Sequence, residues 1–129
     1  VRACLTSNEL AKTAEFFSFG TNDLTQAVFS FSREDAESKF LPEYMEKEIL
    51  ETSPFQSIDE NGVGNLMKIA ISQGRQIKKN LEIGICGEHG GDPDSIRFCH
   101  SIDISYVSAS PFRIPVAIVA AAQAAINKK

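Results

Sequence analysis

Apolar residues recur along the chain at two spacings, and their alternation predicts a repeated order of strand and helix. Leu10, Ala11 and Ala14 share one face of a helix over residues 7–15, with Ser7 or Asn8 placed to cap its start. Phe16-Phe17-Ser18-Phe19 is a short apolar run stopped by Gly20, the pattern of a buried strand. A polar turn follows around Ser32-Arg33-Glu34-Asp35, and Pro42 is suited to start a helix reaching residue 50. Val63, Leu66, Met67, Ala70 and Ile71 recur at helical spacing within 61–79, although Gly64 and Gly74 weaken that helix. The clearest strand is 81–86, apolar and rich in isoleucine, which runs into a glycine-rich segment. A helix after Pro93 places Ile96, Phe98 and Cys99 on an apolar face, 105–108 reads as a third strand, and Pro115 opens a terminal helix.

Alternation of this kind implies parallel strands joined by right-handed crossovers. Two α/β architectures satisfy it, an open doubly wound sheet and a slice of a (β/α)8 barrel, and three strands alone cannot close a barrel. Both place chemistry at the C-terminal ends of strands. Two informative segments fall there: Gly20-Thr21-Asn22-Asp23 and Cys86-Gly87-Glu88-His89-Gly90-Gly91-Asp92.

Composition narrows the classes. At 129 residues, 43% hydrophobic and 23% charged, the chain reads as one ordinary globular piece, residues 1–129, without repeats or linkers. Its net charge of −4, with Lys and Arg scattered, argues against nucleic acid as a partner. The apolar run 116–126 is too short for a bilayer and is expected to be a buried helix, so no membrane is expected. Three cysteines, Cys4, Cys86 and Cys99, form no disulfide framework and no secretory signal opens the chain, which points to the cytoplasm. The abrupt start at Val1 suggests a piece of something larger, leaving an organelle open if a leader lies upstream, and Asn127-Lys128-Lys129 does not match a Ser-Lys-Leu address.

In the first segment, a carboxylate and an amide emerge together at a strand mouth, which suits a hard cation such as Mg²⁺ and its oxyanion ligand. Asn22-Asp23 equally suits an Asx-turn or a cap for the residues after it. The second segment packs a thiol, a carboxylate and an imidazole beside paired glycines that allow close backbone approach to a ligand. A thiol can give a proton as well as take one, which suits enolate chemistry. Cys86-x-x-His89 with Cys99-His100 offers zinc four ligands, but adjacent Cys99 and His100 seldom turn to one tetrahedral ion. Cys99 reads instead as a core thiol, and His100 as a surface helix residue.

These residues carry a family resemblance. Residues 16–26, Phe-Phe-Ser-Phe-Gly-Thr-Asn-Asp-Leu-Thr-Gln, resemble the signature of phosphoenolpyruvate-utilising enzymes. Ser53-Pro54-Phe55-Gln56-Ser57-Ile58-Asp59, Gly62-Val63-Gly64, residues 84–93 and Ser110-Pro111-Phe112-Arg113-Ile114-Pro115 are similar to the pyruvate phosphate dikinases within that family. Phosphoenolpyruvate synthases and phosphoenolpyruvate-protein phosphotransferases share the Gly-Thr-Asn-Asp idea but not the Glu88-His89-Gly90-Gly91 continuation. Val1, Asp103, Ser105 and Ala109 depart from the pattern, none of them at a matched catalytic position.

The resemblance implies the last three strands or so of a (β/α)8 barrel. It implies interconversion of ATP, phosphate and pyruvate with AMP, pyrophosphate and phosphoenolpyruvate, through a phosphohistidine domain of the same full-length chain in a homodimer. By matching positions, Asp23 would ligate Mg²⁺, Gly20, Thr21, Asn22 and Asp23 would line the substrate site, and Cys86 would be the acid/base at the substrate methyl carbon. A second metal-ligating carboxylate would lie before Val1, and substrate arginines on earlier strands, so the isolated chain is expected to be inactive. The competing expectation is a non-catalytic remnant that uses exposed edges and apolar faces for subunit contact.

Overall fold

The structure, a computed structural model, describes residues 1–126; Asn127, Lys128 and Lys129, and the reading made of them above, lie outside the described residues. Two short helices, α1 (Arg2–Leu5) and α2 (Ser7–Ala11), precede strand β1 (Phe16–Gly20) and helix α3 (Thr21–Phe29). Helix α4 (Arg33–Asp35) runs through a wide π-type turn, Ala36–Phe40, into α5 (Leu41–Glu46). Helix α6 (Val63–Ile77), strand β2 (Glu82–Cys86), a 3₁₀ turn (Glu88–Gly91) and helix α7 (Pro93–Ser101) follow. Strand β3 (Tyr106–Val107), a second 3₁₀ turn (Pro111–Arg113) and helix α8 (Ile114–Ile126) close the order.

The expected alternation is present, with instructive differences. Helix α2 ends at Ala11, short of the expected residue 15, and β3 has shrunk to two residues. Helical structure between the first two strands starts earlier than Pro42: α3 begins directly after Gly20, where the sequence suggested a loop. Its C-terminal stop is Ser30, held left-handed at φ 58°. Ser32 then caps α4 by accepting from the Asp35 N–H. Asp92 does the same for α7, accepting from Ser95 N at 2.8 Å, with Pro93 at the first helical position.

The three strands are parallel and stand in chain order, β1-β2-β3. Phe19 of β1 and Ile83 and Ile85 of β2 are buried against Val63, Met67, Ala70 and Ile71 of α6 and Phe98 and Cys99 of α7. Successive helices therefore cover the same face, so the sheet is singly wound over these three strands, as in a slice of a (β/α)8 barrel or in one half of an open doubly wound sheet. Because side chains alternate along a strand, the opposite face carries Phe16, Ser18, Gly20, Glu82 and Cys86, all exposed. Gly84 on that face lies under the Tyr106 ring, which would come within 2.2 Å of an added Cβ.

Glycines set the spacing between elements. Gly64 lets α6 approach the Phe98 ring, and Gly74 lets it approach Phe17 and Leu81, so the two residues that weaken α6 locally are those that seat it. Helix α8 corrects an expectation, since only Ala117, Ala120 and Ala124 are buried while Ile118, Val119 and Ile126 stay 63%, 56% and 69% exposed. Ala117 and Ala120 pack with Ile96 of α7, and the large residues face outward. None of the described helices is long and apolar enough to cross a membrane.

A Cβ at Gly90 would sit 1.9 Å from the Ser108 carbonyl oxygen, a backbone atom that cannot swing away, whereas one at Gly20 meets nothing nearer than 3.5 Å. Gly90→Ala in the complete protein should lower stability by about 1–3 kcal/mol. Gly20→Ala should change it far less, and thermal melting of the two variants side by side checks the difference.

Candidate functional site

The register of β1 on β2 pairs Gly20 with Cys86, so the two segments of interest leave adjacent strands at the same level. Cys86 is exposed at the end of β2. Its Sγ accepts from Ser18 Oγ at 3.8 Å and donates to the Phe19 carbonyl at 3.6 Å, so the thiol leans over the end of β1. Thr21, Asn22 and Asp23 form the first turn of α3, not a free loop. Thr21 is buried with its Oγ1 3.2 Å from the Cys86 carbonyl oxygen.

Gly87 makes this approach possible. At φ 121° it holds a conformation L-residues rarely adopt, and a Cβ there would lie 3.0 Å from Thr21 Oγ1 and 3.4 Å from Asn22 Oδ1. Gly90 and Gly91 have a different use from the one expected. Instead of admitting a ligand, they admit the chain itself: Gly90 faces the Ser108 carbonyl and Gly91 carries the aliphatic stem of Arg113. That packing lays Arg113 beside Asn22, Gly87, Glu88, Gly91 and Ser110 around a cavity of about 450 Å³.

Arg33 and Arg113 are the residues the sequence reading missed. Arg33 Nη2 donates to Glu88 at 2.9 Å and its Nε to Glu37 at 3.0 Å, and its own N–H donates to Gln26 Oε1 at 2.8 Å. The guanidinium holds the Glu88 carboxyl below the usual range. The segment after α3 is thereby tied to the segment after β2 across 55 residues of sequence. Nothing in local pattern marks such a pair. Arg113 was visible only as part of the Ser110–Pro115 likeness.

His89 also differs from expectation. Its ring does not join the thiol at the mouth but turns inward, fully buried, with Nδ1 2.8 Å from Thr21 Oγ1 and Nε2 2.9 Å from the Pro54 carbonyl oxygen. Burial is the main cause lowering its pKa, so the ring is neutral. A carbonyl can only accept, which assigns the proton to Nε2 and leaves Nδ1 to accept from the Thr21 hydroxyl.

Zinc finds no site. His89 has no free nitrogen, and burial pushes the Cys99 thiol up to about 12, far from the thiolate a metal needs. His100 is half-buried, not the surface residue expected. Among the described residues no group of three His, Cys, Asp or Glu is arranged to hold a metal. For Mg²⁺ the donor chemistry fits but the set is incomplete. Asp23 is exposed, with its Oδ2 turned back over Gly20 and only a 3.4 Å bond from Gln26 on Oδ1. Beside it the buried Asn22 Oδ1 has no hydrogen-bond partner. These are hard oxygens of the kind Mg²⁺ takes, with further ligands required from outside the chain.

Comparison with known proteins gives one family. The model described as "PEP-utilising enzyme, PEP-binding domain" matches residues 1–126. A pyruvate, phosphate dikinase of Entamoeba histolytica is 59% identical over 127 residues, 98% of this chain and 14% of that protein. One from Clostridium symbiosum is 57% identical over 128 residues, 99% of this chain and 14% of its own length. The chloroplastic pyruvate, phosphate dikinase 1 of Arabidopsis thaliana is 54% identical over 125 residues, 97% of this chain and 13% of its own. The chain thus spans about one seventh of the length of the curated relatives it matches.

The His89 assignment has a pH consequence. Its folded pKa lies below the value of about 6.5 expected in the unfolded chain, so the unfolded state binds more protons in the window just beneath that value. Stability from this group is complete above about pH 6.5 and falls as the pH drops. An ¹⁵N-imidazole titration should show the Nε2–H tautomer at neutral pH and a midpoint below about 6.5; a midpoint at or above it would refute the assignment.

Proposed function

The chain belongs to the PEP-utilising enzymes, at their PEP-binding domain, and from that membership we propose that it forms the pyruvate- and phosphoenolpyruvate-binding part of a pyruvate, phosphate dikinase. The observation that carries this reading is the Gly20–Cys86 register, which sets a thiol, an amide and a carboxylate at one strand mouth beside a cavity of about 450 Å³. The relatives' shared name favours a dikinase over a phosphoenolpyruvate synthase or phosphoenolpyruvate-protein phosphotransferase.

In this reading the sheet is the last part of a (β/α)8 barrel whose other strands lie elsewhere in the full-length protein. A singly wound sheet with one uncovered face supports it, since parallel sheets are covered on both faces. Ser18, Gly20 and Cys86 would face the barrel interior.

The complete enzyme would interconvert ATP, phosphate and pyruvate with AMP, pyrophosphate and phosphoenolpyruvate through a phosphohistidine on another domain. At this site Cys86, as the thiolate, takes a proton from the pyruvate methyl group to become the thiol, and the C–H electron pair becomes the carbon–carbon double bond of the enolate. The enolate oxygen then takes the phosphoryl group as the nitrogen–phosphorus bond breaks and its electron pair returns to the imidazole. In reverse, the thiol returns the proton to carbon. Gly20 lines the substrate and the Asn22 amide donates to a carboxylate or phosphoryl oxygen, while Thr21, expected to line it too, is fully buried and supports them from beneath. Asp23 would hold Mg²⁺, which when bound supplies positive charge near the enolate oxygen.

In the complete protein, Cys86→Ala should abolish exchange of pyruvate methyl protons with solvent while ATP-dependent histidine phosphorylation persists. Exchange at the wild-type rate would remove Cys86 from the proton transfer. Asp23→Asn should raise the Mg²⁺ concentration needed for methyl exchange by about tenfold or more, and an unchanged requirement would take Asp23 out of the metal site.

A further inference from the structure

We propose that His89 is a positioning residue for this reaction: its neutral ring, anchored through Nε2–H on the Pro54 carbonyl, accepts the Thr21 hydroxyl and so fixes the first turn of α3 against Cys86. The inference rests on the function proposed above and adds to it a residue that touches no substrate.

The geometry makes Thr21 the shared hinge of the two segments. Its Oγ1 has one proton and two acceptors within reach, His89 Nδ1 at 2.8 Å and the Cys86 carbonyl at 3.2 Å. The shorter contact takes the proton when the ring is neutral, and the carbonyl is then approached without being bonded. Asn22 and Asp23 follow Thr21 on the same helical turn, so the ring that sets Thr21 also sets the amide and the carboxylate.

A positioning residue needs a rigid reference, and Pro54 provides one. Pro54 and Phe55 are buried. Ser57 Oγ donates to Asp92 Oδ2 at 3.0 Å, and the Ile58 N–H donates to Ser95 Oγ at 3.0 Å. Asp92 is the cap of α7, so residues 54–58 are bolted to the start of that helix. The ring spans from this anchor to Thr21 with both nitrogens used and no exposed surface. A histidine that only filled the core would require neither bond, and phenylalanine would serve it better.

Two variants separate positioning from core filling, because the Asn side-chain oxygen superposes on Nδ1 and the Gln side-chain nitrogen on Nε2. In the complete enzyme, His89→Asn keeps an acceptor for Thr21 and loses the Pro54 anchor, whereas His89→Gln keeps the anchor and loses the Thr21 acceptor. Asn is one methylene shorter than Gln and leaves the larger void. If His89 only filled space, stability and activity would both suffer more in the Asn variant. Melting temperatures should follow that order. Methyl-proton exchange should not: kcat should fall about tenfold or more in the Gln variant and several-fold less in the Asn variant, with the KM for pyruvate little changed in either. Thr21→Val should lose as much kcat as His89→Gln, and the double variant no more than either, the signature of one shared interaction.

A kcat loss as large in the Asn variant as in the Gln variant, or larger, would overturn the proposal, as would additive losses in the double variant. If His89→Gln does not fold, the Thr21→Val measurement decides, and wild-type kcat there would overturn it too. ATP-dependent histidine phosphorylation, which takes place on another domain, controls for global damage. Absence of methyl exchange in the wild-type enzyme would instead defeat the functional reading itself.

Discussion

The parallel register of β1 on β2 is the constraint on which the rest depends. Five paired positions, from Phe16 opposite Glu82 to Gly20 opposite Cys86, end both strands at one level. A slip of β1 by one residue would turn Phe19 out of the core and carry Ser18 into it, and a slip of β2 would do the same with Ile83 and Ile85 and with Cys86. The hydrophobic face therefore enforces the placement of the thiol, although the thiol contributes nothing to the core. Stability and site geometry are set by the same ladder from opposite faces of one sheet.

Above that ladder the strand mouths are drawn together by polar contacts that no single segment contains. Thr21 reaches the Cys86 carbonyl and the His89 ring, His89 reaches Pro54, and Arg33 reaches Glu88. Each joins residues at least 35 positions apart, and each has a glycine or a tight turn nearby that permits the approach. Gly87 has the clearest part, since its positive φ and missing Cβ allow Thr21 and Asn22 to pass beneath it. The exposed Arg33–Glu88 pair adds little energy by itself, in the range of roughly 0–1 kcal/mol for surface ion pairs, so its effect lies in holding a loop in place.

The molecule is one-sided. Helices cover one face of the sheet, α8 turns Ala117, Ala120 and Ala124 inward and its isoleucines outward, and the face carrying Cys86 is open. Such an arrangement leaves apolar surface and unpaired strand edges that an ordinary monomeric domain avoids. The chain spans about one seventh of its curated relatives, and the proposed barrel gives that uncovered face an interior to belong to.

Sequence alone determined the order of strands and helices, the ends of β1 and β2, and the two segments at their mouths, because these follow from local periodicity and from glycine and proline punctuation. The likeness at residues 16–26 and 84–93 reached the family for the same reason: motifs are contiguous. What it misjudged was of another kind. Asn22-Asp23 read as an Asx-turn or a cap, because an Asx residue suits a turn and a helix start alike, and only the tertiary packing chose the helix. His89 read as a mouth residue because it stands three positions from Cys86, yet the 3₁₀ turn rotates it inward to Thr21 and Pro54. Gly90-Gly91 read as room for a ligand, and the room is taken by Ser108 and Arg113. Side-chain direction and long-range partners depend on where distant segments pack, so they belong to the tertiary structure and not to the local sequence.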